Sequence, residues 1–454
     1  MLLRTFTLFV VAFVSGCTSF DPYNLIGRQN NPHGVVGSSE WAYTPSPESA
    51  RALRAQTLDS VWNTVNDRYY RADLNGVDWK AAREKWSPLV LDAKTEDDFW
   101  ERLDYMAGEL ADSHTRVESP KAVARRRAQQ SFSLGLSLRV IDETLVVLSV
   151  HPESDAYWAG VRAGMRVTKI GDADAVSQWR EWLQAARKTS SATATLRAPL
   201  RKLNVMAEAA SKTGRGITLM FERTGGSAET FTAQLKPTTL STRPTVSHRT
   251  LPSGLGYVRL TAFSESLRAA LLDAIKSLKD TPALIIDLRG NGGGSAAMAE
   301  ALVGTFYKQK TLIANTTTRT GVPITLAFGA IKLSSAERHV TGRADAYTGK
   351  LAILLDADSA SASEATAGAL QSTGRATVIG ETSCGCLLAF MGYASLPGGG
   401  ELAYSEIGFK TVKGDAIEGR GVIPDIIVSR STEDIRMARD RVLESAQAHL
   451  MKTQ

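Results

Sequence analysis

Three serines lie close together in the stretch SASASEATAGAL, residues 359–370, which follows an apolar segment ending before Asp356. Helix-forming residues follow from Glu364, so the sequence predicts that these serines stand at the N-terminus of a helix. Free N–H groups and the helix dipole stabilise negative charge there, as an attacking serine and its tetrahedral oxyanion require. A serine in this place also serves as a helix N-cap without any chemistry. The stretch therefore contains a candidate nucleophile, with capping as the alternative.

A second candidate for chemistry is ALIIDLRGNGGG, residues 283–294, where an apolar strand opens into glycines. Glycines allow backbone N–H groups to approach a ligand oxygen closely. A nucleotide loop is the usual alternative, but no Lys-Ser or Lys-Thr pair follows, and the GxGxxG spacing fails at Ser295. The pattern therefore favours an oxyanion hole over a phosphate site.

The segments DLRGNGGG, SASASEATAGAL, GRATVIGE and GRGVIPDI together resemble peptidase family S41, the carboxy-terminal processing proteases and the related tricorn core. The resemblance implies that Ser361 is the nucleophile and that the backbone amides of Gly293 and Ala362 form the oxyanion hole. It further implies a serine endopeptidase that cleaves peptides or unfolded and C-terminal protein segments through an acyl-enzyme. Such an enzyme needs no metal or nucleotide cofactor.

The proton acceptor is the point where this chain departs from the processing proteases. Those enzymes carry a catalytic lysine in a Gly-Lys-Gly sequence, whereas this chain reads GETSCGCL and places Cys386 at that position. The tricorn-like branch uses a histidine preceded by a serine, together with a glutamate. The resemblance therefore assigns His114 as the base and Ser113 and Glu418 as the remaining members of a tetrad with Ser361. A neutral imidazole is a suitable general base near neutral pH.

Each of these assignments has a simpler alternative. A histidine in a polar loop is usually just exposed, and Glu418 can be a surface acid beside Arg420. The loss of the lysine is compatible with a catalytically degenerate scaffold that only binds peptides, and hydrolysis of non-peptide esters is a third possibility. Cys384 and Cys386 can form a disulfide, pack as inert thiols or line the site; zinc is not expected because no His or Cys cluster accompanies them.

The sequence predicts a multidomain α+β protein in which three domains carry these motifs. A helical domain is expected over residues 46–125, because apolar side chains recur at helical intervals in 47–66 and 95–111. Residues 245–430 alternate strands with helices, and their near-continuous apolar strands indicate a sheet buried on both faces. By resemblance, this part is a crotonase- or ClpP-like α/β protease core. A C-terminal helix is predicted over 431–454.

Between these domains, residues 130–238 contain a series of strand-like segments, which predicts a β-rich domain. They resemble a PDZ domain with an insertion at 187–216. The resemblance identifies Leu134, Gly135 and Leu136 with the loop whose backbone amides hold a peptide's terminal carboxylate. A β-rich domain without a ligand is the alternative.

The N-terminal sequence predicts that the protein is exported from the cytoplasm. Residues 1–16 are typical of a signal peptide, and Val14-Ser15-Gly16-Cys17 resembles a bacterial lipobox with Cys17 as the lipidated residue. Residues 17–45 suit a tether between the lipid and the first domain. By resemblance to Gram-negative lipoproteins, Thr18 after the cysteine, where an aspartate would signal retention in the inner membrane, favours the outer membrane. A net charge of +6 among 454 residues gives no indication of nucleic-acid binding. The expected partners are a polypeptide substrate and the membrane lipid, and a homo-oligomer is left open.

Overall fold

The computed structural model describes residues 47–128, 131–223, 229–240, 243–326, 330–332, 334–389 and 392–452, which form two compact units. Among the described residues, the first unit combines 47–123 with Leu312–His339 and Leu388–Asp415, and the second contains Ala124–Thr311, Val340–Leu387 and 416–452. The predicted signal peptide, lipidated Cys17 and tether lie outside the described residues. None of the described helices is both long enough and apolar enough to cross a membrane.

The helices and strands alternate along the chain in the way expected of a mixed α/β protein. The helices are α1 (Pro47–Arg68), α2 (Trp79–Leu91), α3 (Glu96–Gly108), α4 (Pro120–Arg127), α5 (Asp155–Trp158), α6 (Ala175–Gln184), α7 (Ala192–Thr195), α8 (Ala198–Ser211), α9 (Arg268–Ser277), α10 (Ala296–Gly304), α11 (Ala362–Ser372), α12 (Thr432–Arg436) and α13 (Arg441–Lys452). The strands up to the middle of the chain are β1 (Arg116–Glu118), β2 (Ser131–Ser133), β3 (Leu136–Ile141), β4 (Thr144–Val150), β5 (Arg166–Ile170), β6 (Ala173–Asp174), β7 (Ile217–Glu222), β8 (Thr230–Leu235), β9 (Thr238–Leu240), β10 (Val246–Thr250), β11 (Gly256–Leu260) and β12 (Ala283–Asp287). The remaining strands are β13 (Thr311–Thr317), β14 (Thr325–Leu326), β15 (Ile331–Lys332), β16 (Glu337–Val340), β17 (Lys350–Leu355), β18 (Thr377–Gly380), β19 (Leu388–Ala389), β20 (Ala394–Ser395), β21 (Glu401–Ala403), β22 (Ile407–Lys410) and β23 (Ile426–Ile427).

The first unit is built around the predicted N-terminal helices. The Thr95 side chain accepts a hydrogen bond from the Asp98 N–H and caps α3, whose first turn is acidic. Helix α2 was not predicted; it contains Pro88 and begins at an Asp78 cap. The apolar faces of these helices share a core with residues from much later in the chain, including Leu396, Leu402 and Tyr404. This packing explains why a C-terminal segment belongs to the same unit as the N-terminal helices.

The second unit contains a β-rich module, residues 131–240. Its main sheet has the order β3-β4-β5-β7-β8, with β6 paired to β5, and β2 pairs separately with β9. The predicted insertion at 187–216 forms α7 and α8. Helix α8 places Leu203 and Ala207, both fully buried, in the core of the module. The insertion is therefore part of the module's core.

The second unit also contains a sheet with the order β10-β11-β12-β17-β18-β23. From β11 onward neighbouring strands are parallel, and β10 is antiparallel to β11. Every residue of β12 is buried, as is every residue of β17 after Lys350, so the prediction of strands buried on both faces is confirmed. Parallel strands end at one edge of a sheet, where open α/β proteins bind ligands. This edge carries the glycine segment after β12, the serine segment after β17 and the cysteine segment after β18.

Where the sequence predicts a C-terminal helix over 431–454, the described part contains two helices, α12 and α13. Between them Ala438 adopts φ +51°, a left-handed conformation that an α-helix cannot continue through. The Asp440 carboxylate then accepts a hydrogen bond from the Leu443 N–H at 3.1 Å and forms an ion pair with Arg289 at 2.7 Å. These contacts stabilise the start of α13 and attach it to Arg289, which follows β12.

Candidate active site

Ser361 lies at the turn between β17 and α11. Its backbone has φ 55° and ψ −114°, a combination that is unfavourable for a residue with a side chain. A strand-to-helix turn of this kind presents a nucleophile at the edge of a sheet and at the positive end of a helix dipole. The Ser361 side chain is half-buried. Ser361 also forms a capping box with Glu364, so the turn is compatible with a cap as well as with a reactive hydroxyl, and the role of nucleophile stays a prediction.

The glycine segment packs directly against this turn. A Cβ atom at Gly293 would lie 2.7 Å from the Ser361 Cβ and 2.8 Å from the Ala360 carbonyl oxygen, and Gly293 has φ +99°. Only glycine fits at such a position. The sequence-predicted residues Ser361, Gly293 and Ala362 are thus neighbours, with Ala362 as the first residue of α11.

Asn291 holds the glycine segment in place. It is fully buried, its Nδ2 donates to the Leu260 carbonyl at 3.0 Å, and its own carbonyl accepts from the Ala360 N–H at 3.0 Å. The Gly293 N–H donates to the Asn291 Oδ1 at 2.9 Å. Gly293 can therefore serve an oxyanion only after this hydrogen bond is exchanged, and its role stays a prediction.

Glu418 belongs to the same unit as Ser361. Its Oε2 accepts a hydrogen bond from the Leu387 N–H at 2.6 Å, and the side chain is half-buried. This contact ties the carboxylate to the segment that follows Cys386. Glu418 is thus hydrogen-bonded to the backbone beside the serine turn, and its membership of a tetrad stays a prediction.

Ser113 and His114 belong to the first unit, where a buried carboxylate organises their loop. Asp112 is 1% exposed; its Oδ1 accepts the His114 N–H at 2.6 Å, and its Oδ2 accepts the hydroxyls of Thr115 at 2.7 Å and Ser405 at 2.6 Å. An aspartate that binds backbone N–H groups just after itself fixes a turn. Sequence reasoning missed Asp112 and Ser405, although Asp112 stands immediately before the Ser-His pair.

The electrostatic surroundings favour a neutral His114. Burial lowers the pKa of the imidazole; the nearby Asp112 carboxylate raises it, and the Arg116 guanidinium lowers it again. The net direction is downward, because a buried imidazolium loses hydration that its neighbours replace only in part. An imidazole with a lowered pKa is unprotonated at neutral pH and is able to accept a proton.

This shift predicts the acid limb of the pH profile. With His114 as the predicted base, the unprotonated imidazole is the active form, so kcat/KM should fall as the pH decreases through a midpoint below the ordinary imidazole value of about 6.5. Replacing Arg116 with glutamine removes a charge that lowers the pKa of His114, so the midpoint should move to higher pH. Initial rates on a peptide between pH 4 and pH 9 would measure the midpoint of the acid limb in the wild type and in the Arg116→Gln variant. A midpoint above the ordinary imidazole value, or one that Arg116→Gln leaves unmoved, would contradict this assignment.

Cys384 and Cys386 form a disulfide, with their Cα atoms 5.2 Å apart. Of the alternatives for the pair, this selects the disulfide over two inert thiols. The sulfur of Cys386 carries no proton in this state, so the residue at the former lysine position is not an acid or a base.

The predicted carboxylate loop of the β module has internal partners. The Leu134 N–H donates to the Asn204 Oδ1 of α8 at 2.9 Å, and the Gly135 N–H donates to the Ser133 Oγ at 3.0 Å. Leu136 begins β3, in register with Val150 of β4. A peptide carboxylate would therefore have to replace the Asn204 amide oxygen at Leu134.

A cavity of about 320 Å³ lies beside the same strand. Its apolar lining comes from β3, from α6 and from the start of the 187–216 segment: Leu138, Val140, Trp179, Leu183, Leu196 and Leu200. Asp358, three residues before Ser361, also lines it and forms an ion pair with Arg197 at 3.0 Å. The cavity therefore lies between the β module and the turn that precedes the serine stretch, within the second unit.

Comparisons with known proteins agree with these features. The profile of peptidase family S41 matches residues 254–428, and that of the tricorn protease C1 domain matches residues 50–108. The chain is 26% identical over 411 residues to the carboxyl-terminal-processing protease of Picosynechococcus sp. The alignment covers 87% of this chain and 86% of that protein.

Solved structures show the same fold. The photosystem II D1 C-terminal processing protease matches with a TM-score of 0.55 and 20% identity, covering 87% of this chain and 98% of that one. A crystal structure of mature CPAF matches with a TM-score of 0.66 and 14% identity, and the alignment covers 89% of this chain and 99% of that one. The mixed α/β multidomain architecture predicted from the sequence is confirmed at this level. Residues 254–428 thus match the profile of peptidase family S41, and most of the chain is similar to carboxyl-terminal-processing proteases, which supports a serine peptidase activity.

Proposed function

We propose that the protein is an endopeptidase that cleaves unfolded or C-terminal protein segments with a Ser361–His114–Ser113–Glu418 tetrad. The observation that carries the proposal is the position of Ser361, on an unfavourable strand-to-helix turn packed against the Gly293 segment, inside the region matched by the family profile. The relatives named as carboxyl-terminal processing proteases support the substrate class. The histidine assignment rests on the family resemblance and on the lowered pKa of His114.

In the proposed reaction His114 removes the proton from the Ser361 hydroxyl while its oxygen attacks the carbonyl carbon of the scissile amide. The N–H groups of Ala362 and Gly293 stabilise the tetrahedral oxyanion. His114 then gives its proton to the leaving amine, the C–N bond breaks and an acyl-enzyme remains. Water, deprotonated by the same imidazole, releases the acid product and restores Ser361.

Ser113 and Glu418 act on the base in this scheme. A carboxylate that reaches the imidazole through the Ser113 hydroxyl orients the ring and stabilises its charged form. Glu418 is suited to this role because the Leu387 N–H fixes one of its oxygens. Both are positioning residues, since neither exchanges a proton with the substrate.

We also propose that the β module is a PDZ-like domain, that the sheet of the second unit is a crotonase-like core, and that the protein is a lipoprotein attached to the outer membrane through Cys17. The glycine turn at Gly135, with φ +70°, and the apolar cavity beside β3 support capture of a peptide end. Metabolic labelling with an alkynyl fatty acid tests the lipid, because a Cys17→Ala variant should not be labelled.

The test is cleavage of an unfolded protein by the purified chain, followed by mass spectrometry of the new termini. We expect internal cuts and labelling by a fluorophosphonate probe on the peptide that contains Ser361. A matched control is Ser372→Ala, at the far end of the same helix, which should leave both readouts unchanged. Peptide binding without cleavage or labelling would instead identify the degenerate scaffold. Turnover of esters but not of peptides would identify the third alternative.

A further inference from the structure

The segment Ser383–Leu387 occupies the place of the missing lysine and contacts both predicted catalytic residues of the second unit. The Ser361 N–H donates to the Cys386 carbonyl at 3.1 Å, and the Cys384 N–H donates to the Ser359 carbonyl at 2.9 Å. On its other side, the Leu387 N–H donates to Glu418 at 2.6 Å. One short segment therefore positions the nucleophile's backbone and one carboxylate of the tetrad.

Glu364 forms a second connection between this segment and Ser361. The carboxylate is fully buried and accepts the N–H groups of Ser361 at 2.9 Å, Gly385 at 2.7 Å and Cys386 at 3.0 Å, as well as the Ser383 hydroxyl at 2.6 Å. Such a carboxylate has no remaining strong acceptor site, since its two oxygens offer about four. Any movement of the cysteine segment must therefore disturb the backbone of the nucleophile or leave buried N–H groups unpaired.

Regular secondary structure does not hold this segment. Residues 382–387 form neither helix nor strand, and Gly385 has φ +71°. The disulfide joins the residues on both sides of Gly385, which restricts the backbone between them. The two cysteines are buried with Ala360 and with Ala194 of α7, so the covalent link lies in a packed environment next to the serine turn.

We propose that the Cys384–Cys386 disulfide is a positioning group for the peptidase reaction, so that the oxidised enzyme is active and the reduced enzyme is impaired. This inference rests on the proposed role of Ser361 as nucleophile. Reduction by an external dithiol transfers two electrons and two protons to the pair, converts the disulfide to two thiols and oxidises the dithiol to its own disulfide. The segment then keeps its hydrogen bonds to Ser361 and Glu418 but loses the covalent restraint on its own backbone.

The experiment compares oxidised, reduced and reoxidised enzyme. The full chain with a Cys17→Ser substitution is reduced with dithiothreitol, and mass spectrometry after unfolding and alkylation counts the free thiols. We expect kcat on a peptide to fall by about 10- to 100-fold with KM within about twofold, because small misplacements of a nucleophile have effects of this size. Reoxidation should restore kcat. Assays are run well below the melting temperature of either form, so that unfolding does not contribute.

The matched variant replaces both Cys384 and Cys386 with alanine. It should show the same loss of kcat and no response to dithiothreitol. If fully reduced enzyme keeps its kcat, or if reduction only unfolds the protein, the positioning role is refuted. A lack of activity in the oxidised enzyme, with no fluorophosphonate labelling, would instead count against the proposed function itself, so the two failures are distinguishable.

Discussion

Replacing Ser361 with alanine is expected to lower kcat/KM for peptide cleavage by about 10⁶-fold, since the attacking oxygen is lost and no acyl-enzyme forms. The remaining rate would come from binding and from the N–H groups around the site. Ser361 lies on a turn whose backbone is unusual for any residue but glycine, so alanine should fit there as well as serine does. The measurement is steady-state kinetics, with circular dichroism to verify folding.

The Ser372→Ala variant provides the comparison, because Ser372 is the last residue of α11 and is remote from the strand-to-helix turn. It should keep the wild-type kcat/KM. If Ser361→Ala retained more than about a hundredth of the wild-type rate, nucleophilic catalysis by this residue would be refuted, because removal of a nucleophile has a much larger effect.

Replacing His114 with alanine should lower kcat/KM by about 10⁴-fold, the upper range for general base catalysis. The acid limb of the pH profile should disappear with it, since no other group is proposed to titrate there. Added imidazole should restore part of the rate, because the small base can enter the space left by the side chain. Kinetics with and without imidazole would measure this.

His248 offers a matched control because it is an exposed histidine on β10. His248→Ala should leave both the rate and the pH profile unchanged. Equal activity of His114→Ala and the wild type would show that another base serves Ser361 and would refute the tetrad.

The arrangement of the second unit's motifs could be predicted from the sequence. The apolar strands β12 and β17 are too continuous for a half-exposed sheet, and strands separated by helices pair in parallel. Their following loops must then meet at one edge, which brings the glycine segment to Ser361. The proximity of the glycine segment and Ser361 could be predicted because each of the two motifs lies directly after its strand.

Other features could not be predicted because they depend on long-range pairing. The buried Asp112 binds Ser405, which lies far along the chain, and no local pattern connects the two. The same holds for Leu388–Asp415, which joins the N-terminal helices in the first unit. Glu364 was visible in its motif, but its partners at Gly385 and Cys386 come from a loop of irregular structure.

The 187–216 segment is an intermediate case. Pro199, Leu203 and Ala207 recur four residues apart and are the buried residues of α8. This spacing is typical of a helix with one apolar face and could have identified the segment as part of the core. The resemblance to a PDZ domain marks the same residues only as an insertion.

The most direct test of the account is a crystal structure of the full chain with a peptide boronate on Ser361, in which the distance from the His114 imidazole to the Ser361 oxygen is measured. A boronate bound to the serine imitates the tetrahedral intermediate. We predict a nitrogen-to-oxygen distance within hydrogen-bond range, about 2.6–3.2 Å. An imidazole far from the modified serine, with another base in its place, would contradict the central claim.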